Sequence, residues 1–295
     1  YGKKNQIGII NADDEVLLSY NFKSQMLSFG IKNKNADFVA SDIIQNGNFL
    51  EFNVNDHKET VHIKIQIPGV HNVYNALMVF VLAKHFGLTN EQIQRGFLNY
   101  KSSGIRQSIK EIAGRTVYID CFNVCQASIL SCCETLSQMK INKKNKRIAV
   151  LGGENALGEY SYITNLETGE LLAKYDNIDY FIFVGIKTPA TLKQVDYFGN
   201  GRALYEGALN VAQLKERSIF FDDLTELADF LREKTESGDA ILLKGLYRLP
   251  LFTSLDIAFG TSYLSRNINF KPKKVCKTVI EGQYYEQLGG YTNKV

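Results

Sequence analysis

From residue 117 onward, short apolar runs alternate with amphipathic segments, and this constrains the fold more than any other feature. Val117-Tyr118-Ile119, Arg147 to Leu151, Tyr180 to Val184, Ser218 to Phe221 and Ala240 to Leu243 read as strands. Residues 126–139, 162–175, 202–214 and 223–236 between them carry helical periodicity. Strands and helices alternating in this way predict an α/β fold with a mostly parallel, doubly wound sheet and right-handed crossovers.

The upstream pattern differs. Residues 7–11 read as a short buried strand ending in the turn Asn11-Ala12-Asp13-Asp14, and residues 36–67 read as antiparallel strands. Asn46-Gly47 between two alternating runs predicts a hairpin. The clean alternation of Val61 to Ile67 buries one face of a strand, which Pro68-Gly69 breaks. A helix from Asn72 to His85 follows. Its apolar Val73, Ala76, Leu77, Phe80, Val81 and Leu82 predict burial over most of its surface. Gly87 ends it, and Thr89 with Gln92 forms a capping box for a second helix carrying Ile93 and Phe97. The polar stretch 99–108 marks a domain boundary, giving domains 1–103 and 104–270. Lys271-Pro272-Lys273-Lys274 opens a linker or extension, 271–295.

A length of 295 residues suits two domains with sizeable cores. The net charge of +3 gives no basis for nucleic acid or an anionic membrane as main partner. No apolar run approaches the roughly 18 residues of a membrane helix, and the first residues carry no secretory signal, so a cytoplasmic protein is expected. Tyr1 stands where an initiating Met is absent, so the chain is expected to come from a longer protein. The five cysteines, without zinc-ligand spacing, are expected to be reduced.

Ligands of open parallel sheets bind beyond the carboxyl ends of the strands. Three polar clusters fall there: Asp120 with Asn123, Gly152-Gly153-Glu154, and Lys244-Gly245. A strand-end Asp also serves as helix cap or turn former. His71, Asn72 and Asn75 open the upstream helix, where amide side chains suit a polar ring or an anion. Alternatively, Asn72 caps the helix and His71 packs in the turn. The basic run Lys140 to Arg147 reads as a solvated loop and Gly199-Asn200-Gly201 as a turn. Cys121 and Cys125 are expected to pack, and Tyr284 and Tyr285 to mark an interaction surface.

Several motifs in order carry a family resemblance. Gly69-x-His71-Asn72-x-x-Asn75-Ala76 resembles the Gly-x-His-Asn-x-x-Asn-Ala motif of Mur ligases. Asn11-Ala12-Asp13-Asp14 resembles their Asn-Ala-Asp-Asp turn, and Gly104-Ile105-Arg106-Gln107 their Gly-Arg-x-Glu linker. Asp120-Cys121-Phe122-Asn123 resembles Asp-Ser-Tyr-Asn, and Leu151 to Tyr160 resembles Leu-Gly-Asp-Met-x-Glu-Leu-Gly-Glu. Lys244-Gly245 resembles the start of Lys-Gly-Ser. The similarity runs from residue 7 to about 258 and is greatest to the branch that adds D-alanyl-D-alanine to a UDP-muramoyl tripeptide.

The resemblance implies the downstream part of a central ATPase domain followed by a Rossmann-like C-terminal domain. It implies ATP and Mg²⁺ as cofactors of the whole enzyme, and a UDP-muramoyl peptide plus an amino acid or dipeptide as its substrates in peptidoglycan synthesis. ATP activates a carboxylate as an acyl phosphate, which an amine attacks. By resemblance, His71, Asn72, Asn75, Arg106, Asp120 and Asn123 serve the nucleotide. Glu154, Glu159 and Lys244 serve the incoming amine, and the segment around Gly104 acts as a hinge. The nucleotide groups of the two domains are then expected to face one cleft.

The departures shape the expectation. The 295 residues contain no Gly-x-x-Gly-Lys-Thr phosphate loop. The family's metal-binding Glu and His and its carbamylated lysine belong ahead of Asn11, and its UDP-binding domain has no counterpart here. Leu246 replaces the Ser of Lys-Gly-Ser, Gln107 a Glu, Gln126 a Pro, and Asn165 stands near a family His. The chain alone is therefore expected to turn over no ATP. Alternatives are a non-catalytic binding or scaffold module retaining the fold, and a relative acting on a folate or a poly-amino acid.

Overall fold

The computed structural model describes residues 7–46, 49–102, 104–186 and 197–261. The chain divides into two units, Tyr1–Ser102 and Ser103–Val295.

The first unit runs β1 (Ile7–Asn11), α1 (Glu15–Leu18), β2 (Gln25–Gly30), β3 (Phe38–Asn46), β4 (Phe49–Asn55), β5 (Thr60–Ile65), α2 (His71–His85) and α3 (Asn90–Asn99). Its sheet has the order β1-β2-β3-β4-β5. The first three strands are parallel, and β4 and β5 are antiparallel additions. Alternation drives this packing: Leu50, Phe52 and Val54 of β4 and Val61, Ile63 and Ile65 of β5 are buried with Val73, Leu77, Phe80 and Val81 of α2 in one core. Asn46 pairs with Phe49 across the predicted hairpin, and Gly47 lies outside the described residues.

The expectation of a helix buried over most of its surface needs correction. Leu82 is exposed, as are Met78 and Val79, so α2 buries one broad face. Its end follows the sequence: Gly87 takes a left-handed φ of 78°, the Gly87 amide donates to the Lys84 carbonyl at 3.0 Å, and the Leu88 amide donates to that of Ala83 at 3.0 Å. The Thr89–Gln92 capping box forms in both directions. The sequence reading missed β2, whose alternating face is weakened by Gln25 and Ser28, and the single-turn α1.

The second unit runs β6 (Ser108–Ile112), β7 (Arg115–Asp120), α4 (Gln126–Gln138), β8 (Arg147–Gly152), α5 (Ser161–Leu171), β9 (Tyr180–Val184), α6 (Gly201–Asn210), β10 (Ser218–Phe221), α7 (Leu224–Lys234), β11 (Ala240–Lys244) and α8 (Leu251–Phe259). Its sheet order is β10-β9-β8-β11-β7-β6, parallel except for the edge strand β6. That strand begins inside the stretch read as a polar boundary. Its exposed Lys110 and Glu111 hide it from an apolar count. Ala113 and Gly114, with φ of 48° and 76°, make the two-residue turn that returns it antiparallel to β7.

Helices cover both faces. Phe183 and Phe220 pack on Tyr205 of α6, at ring separations of 5.7 and 5.6 Å. Tyr180 and Phe221, of opposite strand parity, pack on Phe230 of α7 at 5.9 and 5.6 Å. The helices α5 and α6 meet backbone to backbone: a Cβ at Gly207 would collide with the Leu166 carbonyl, and one at Gly169 with that of Leu204. Tyr284, Tyr285 and the extension 271–295 lie outside the described residues.

Candidate functional site

The strand register brings the three polar clusters of the second unit to one rim. Because β11 lies between β8 and β7, Lys244 pairs in register with Asp120 on one side and Leu151 on the other. The Lys244 ammonium lies 2.5 Å from Asp120 Oδ2 and 2.8 Å from the Asn123 carbonyl oxygen. Both ionic groups are buried. Burial opposes the charge on Lys244, but its interactions with Cys132 and with the Asp120 carboxylate outweigh this and its pKa rises. Asp120 also accepts from the Gln107 amide at 3.3 Å and the Cys132 thiol at 3.4 Å. Burial, reinforced by this carboxylate, pushes the Cys132 thiol up to about 12. Thus two residues assigned separately, one to the nucleotide and one to the amine, hold each other. The Asn123 side chain is exposed, while its backbone carbonyl is fixed.

Arg106 is exposed on the same unit, its guanidinium carbon 3.4 Å from the centre of the Phe122 ring. Phe122 is tied down by the Tyr247 amide, which donates to its carbonyl at 2.9 Å, and the two rings stand 6.2 Å apart. A guanidinium stacked on an aromatic face is a group suited to phosphate or carboxylate oxygens. Nothing in the sequence reading pointed to Tyr247.

Glu154 has a structural partner of its own. Its carboxylate accepts from the Gln126 amide at 3.0 Å, at the N-terminus of α4. Partial burial raises its pKa, and the amide bond only partly offsets this. Asn165, buried, clamps the Glu154 backbone by accepting from its amide at 2.8 Å and donating to its carbonyl at 3.1 Å. Asn165 therefore supports the rim from below. Glu159 is exposed on the 3₁₀ turn Gly158–Tyr160. Cys121 packs as expected, but Cys125 is exposed at the start of α4. Asn200 caps α6 by accepting from the Ala203 amide, so the turn at 199–201 doubles as a helix start.

In the first unit, His71, Asn72 and Asn75 form a connected set at the start of α2. Asn72 is buried and donates to the Pro68 carbonyl at 2.7 Å. His71 Nε2 lies 3.1 Å from the same amide nitrogen, and Asn75 donates to Asn72 Oδ1 at 3.0 Å. The cap position is Val70, without a side-chain bond, so Asn72 does not cap the helix. Exposed Asn75 and half-buried His71 are its outward members.

Asp13, in the Asn-Ala-Asp-Asp turn, is anchored more heavily than any sequence cue indicates. Its carboxylate accepts from the amides of Ile31, Lys32 and Asn33 at 2.7, 2.9 and 2.6 Å and from the Tyr74 hydroxyl at 2.9 Å. Partial burial resists ionisation, but these donors prevail and its pKa falls to about 2. Burial and the Asp13 charge push Tyr74 up to about 12.

Among the described residues, no group of three or more His, Cys, Asp or Glu side chains could hold a metal, and no helix is long and apolar enough to cross a membrane.

Residues 2–83 match the family Mur ligase middle domain. The UDP-N-acetylmuramoyl-tripeptide--D-alanyl-D-alanine ligase of Bacillus subtilis (strain 168) is 25% identical over 245 residues, covering 82% of this chain and 49% of that relative. The chain resembles the Mur ligases in sequence and in fold. MurF from Acinetobacter baumannii superposes with a TM-score of 0.69 at 19% identity, covering 88% of this chain and 52% of that one. MurF ligase from Thermotoga maritima, solved in complex with ADP, gives 0.68 at 19% identity over 90% of this chain and 55% of its own. The chain thus spans about half the length of the Mur ligases it matches. The α/β architecture with two mixed sheets agrees with these Mur ligase structures.

Proposed function

We propose that this chain supplies nucleotide-facing and amine-facing surfaces to an ATP-dependent amide-forming ligase of peptidoglycan synthesis. The acyl substrate would be a UDP-muramoyl peptide and the amine an amino acid or dipeptide, D-alanyl-D-alanine first among them. In this reading 1–103 is the downstream part of the central domain, 104–270 is the C-terminal domain, and the protein works in the cytoplasm. The observation that carries it is the rim itself: Asp120, Asn123 and Lys244 converge where parallel sheets bind ligands, beside an arginine stacked for phosphate.

ATP with Mg²⁺ would supply the activation of the substrate carboxylate. The chain's own contribution is positioning and charge neutralisation. His71 and Asn75 would contact the base, and the Arg106 guanidinium would meet phosphate oxygens. Asp120 and Lys244 act one step back, fixing the 121–125 loop through the Asn123 carbonyl. Glu154 and Glu159 remain the candidates for the amine.

Without a phosphate loop, the chain by itself lacks the backbone cradle and lysine that hold the β- and γ-phosphates. Purified chain should hydrolyse ATP at background, and robust turnover would refute this part of the proposal. The ligase reading is tested in the intact gene product with ATP, Mg²⁺, UDP-muramoyl tripeptide and D-alanyl-D-alanine. Failure to form an amide with that dipeptide or any amino acid would leave the second reading, a binding module that retains the fold.

A further inference from the structure

The sequence that follows Lys244-Gly245 departs from the family motif, and the structure shows what it builds. Residues 246–249 form a tight turn in which the Leu249 amide donates to the Leu246 carbonyl at 3.0 Å. Both leucines are buried, and the intervening Tyr247 and Arg248 form the tip. The turn is seated on the strand ends: a Cβ at Gly152 would press on the Leu249 side chain, and one at Gly245 on that of Leu251, each at 2.7 Å. One flank, through Tyr247, adjoins the Phe122–Arg106 stack.

On the other flank, the exposed Arg248 guanidinium stands 4.5 Å from the centre of the Tyr197 ring. The Tyr197 carbonyl is held by Asn155, which donates to it at 3.5 Å and directly follows Glu154. Arg248 is thus presented where loops after β8, before α6 and after β11 meet. Among the described residues no carboxylate pairs with it. An aromatic-backed guanidinium with no carboxylate partner among the described residues is suited to a ligand carboxylate.

We infer that Arg248, backed by Tyr197, is a specificity-determining residue that binds the terminal carboxylate of the incoming amino acid or dipeptide. This rests on the ligase reading above, and it separates the ends of the amine substrate: the carboxylate at Arg248 and the amino group toward Glu154. It also assigns the two guanidiniums of the rim different anions, phosphate for Arg106 and carboxylate for Arg248.

The test is titration of the ¹⁵N-labelled chain with D-alanyl-D-alanine and with its C-terminal amide, followed by amide chemical shifts, for wild type, Arg248→Gln, Arg248→Lys and Tyr197→Leu. Of the two positions, Arg248 is exposed and Tyr197 half-buried, so unchanged shifts elsewhere report an intact fold. The expected result is that the free acid moves the 246–249 amides in wild type. Arg248→Gln should weaken it about tenfold, the size of one charge-assisted contact at a wet surface. Arg248→Lys should retain part of the affinity, Tyr197→Leu should weaken it less than Arg248→Gln, and the C-terminal amide should bind both wild type and Arg248→Gln equally weakly. If the dipeptide binds wild type and Arg248→Gln with the same affinity, the Arg248 assignment fails while the ligase reading stands. If neither this dipeptide nor any amino acid binds wild type, the Arg248 assignment also fails, while the ligase reading is decided by amide formation in the intact gene product.

Discussion

Replacing Lys244 by Met leaves the Asp120 carboxylate buried without its counter-ion. At 2.5 Å and an effective dielectric of about 20, the attraction in the pair is roughly 7 kcal/mol. Desolvating two ions costs several kcal/mol each, so the intact pair contributes little net stability. Losing one partner is a different matter. Among the described residues, Asp120 keeps one long amide bond from Gln107 and a thiol, and the Asn123 carbonyl loses its ammonium donor. The expected cost for Lys244→Met is about 4 kcal/mol. Asp120→Asn in the same background should recover about 2 kcal/mol, because it removes the stranded charge. Urea unfolding followed by circular dichroism, fitted with one transition for each unit, measures both. The shift should fall on the transition of the second unit. A cost below about 1 kcal/mol for Lys244→Met, or a double variant no better than the sum of the singles, would show that water reaches this pair and would refute the reasoning.

Asp13→Ala should destabilise the first unit by about 1–2 kcal/mol in urea, since three amides and the Tyr74 hydroxyl lose their acceptor. Its pKa is lowered from 3.8 to about 2, so its contribution is fully present above pH 4 and is lost as pH falls toward 2. Allowing for its partial exposure, wild type should lose about 1 kcal/mol relative to Asp13→Ala across that window, and parallel pH profiles would contradict the assignment. Gly207→Ala forces a methyl onto the Leu166 carbonyl and should cost about 1–3 kcal/mol, read as a lower urea midpoint; a neutral effect would mean that α5 and α6 are farther apart than described. Among the four described cysteines, peptide-resolved alkylation of native protein should label Cys125 first, and Cys121, Cys132 and Cys133 only after unfolding, because burial raises their thiol pKa values.

The candidate site was partly legible in the sequence. Strand-end position was enough to find Asp120, Glu154 and Lys244, because a parallel strand running into a loop always delivers its last residues to the same rim. The partners of these residues were not legible. Lys244 and Asp120 are 124 positions apart, and Asn165, near the expected position of a histidine, turned out to clamp Glu154. Arg248 had no motif to mark it. Its exposure at the tip of a turn comes from the burial of Leu246 and Leu249 on either side.

The sequence by itself determined the local elements of the second unit. Runs such as Tyr180–Val184 and the helical periodicities depend only on neighbours within a dozen residues, as do the Gly87 stop and the Thr89 capping box. Tertiary structure decided the order of the strands. The insertion of β11 between β8 and β7 pairs segments far apart in the chain, which no local window contains. It also decided the fate of weak elements such as β6 and β2, whose polar residues are tolerated because a neighbouring strand completes their backbone hydrogen bonds.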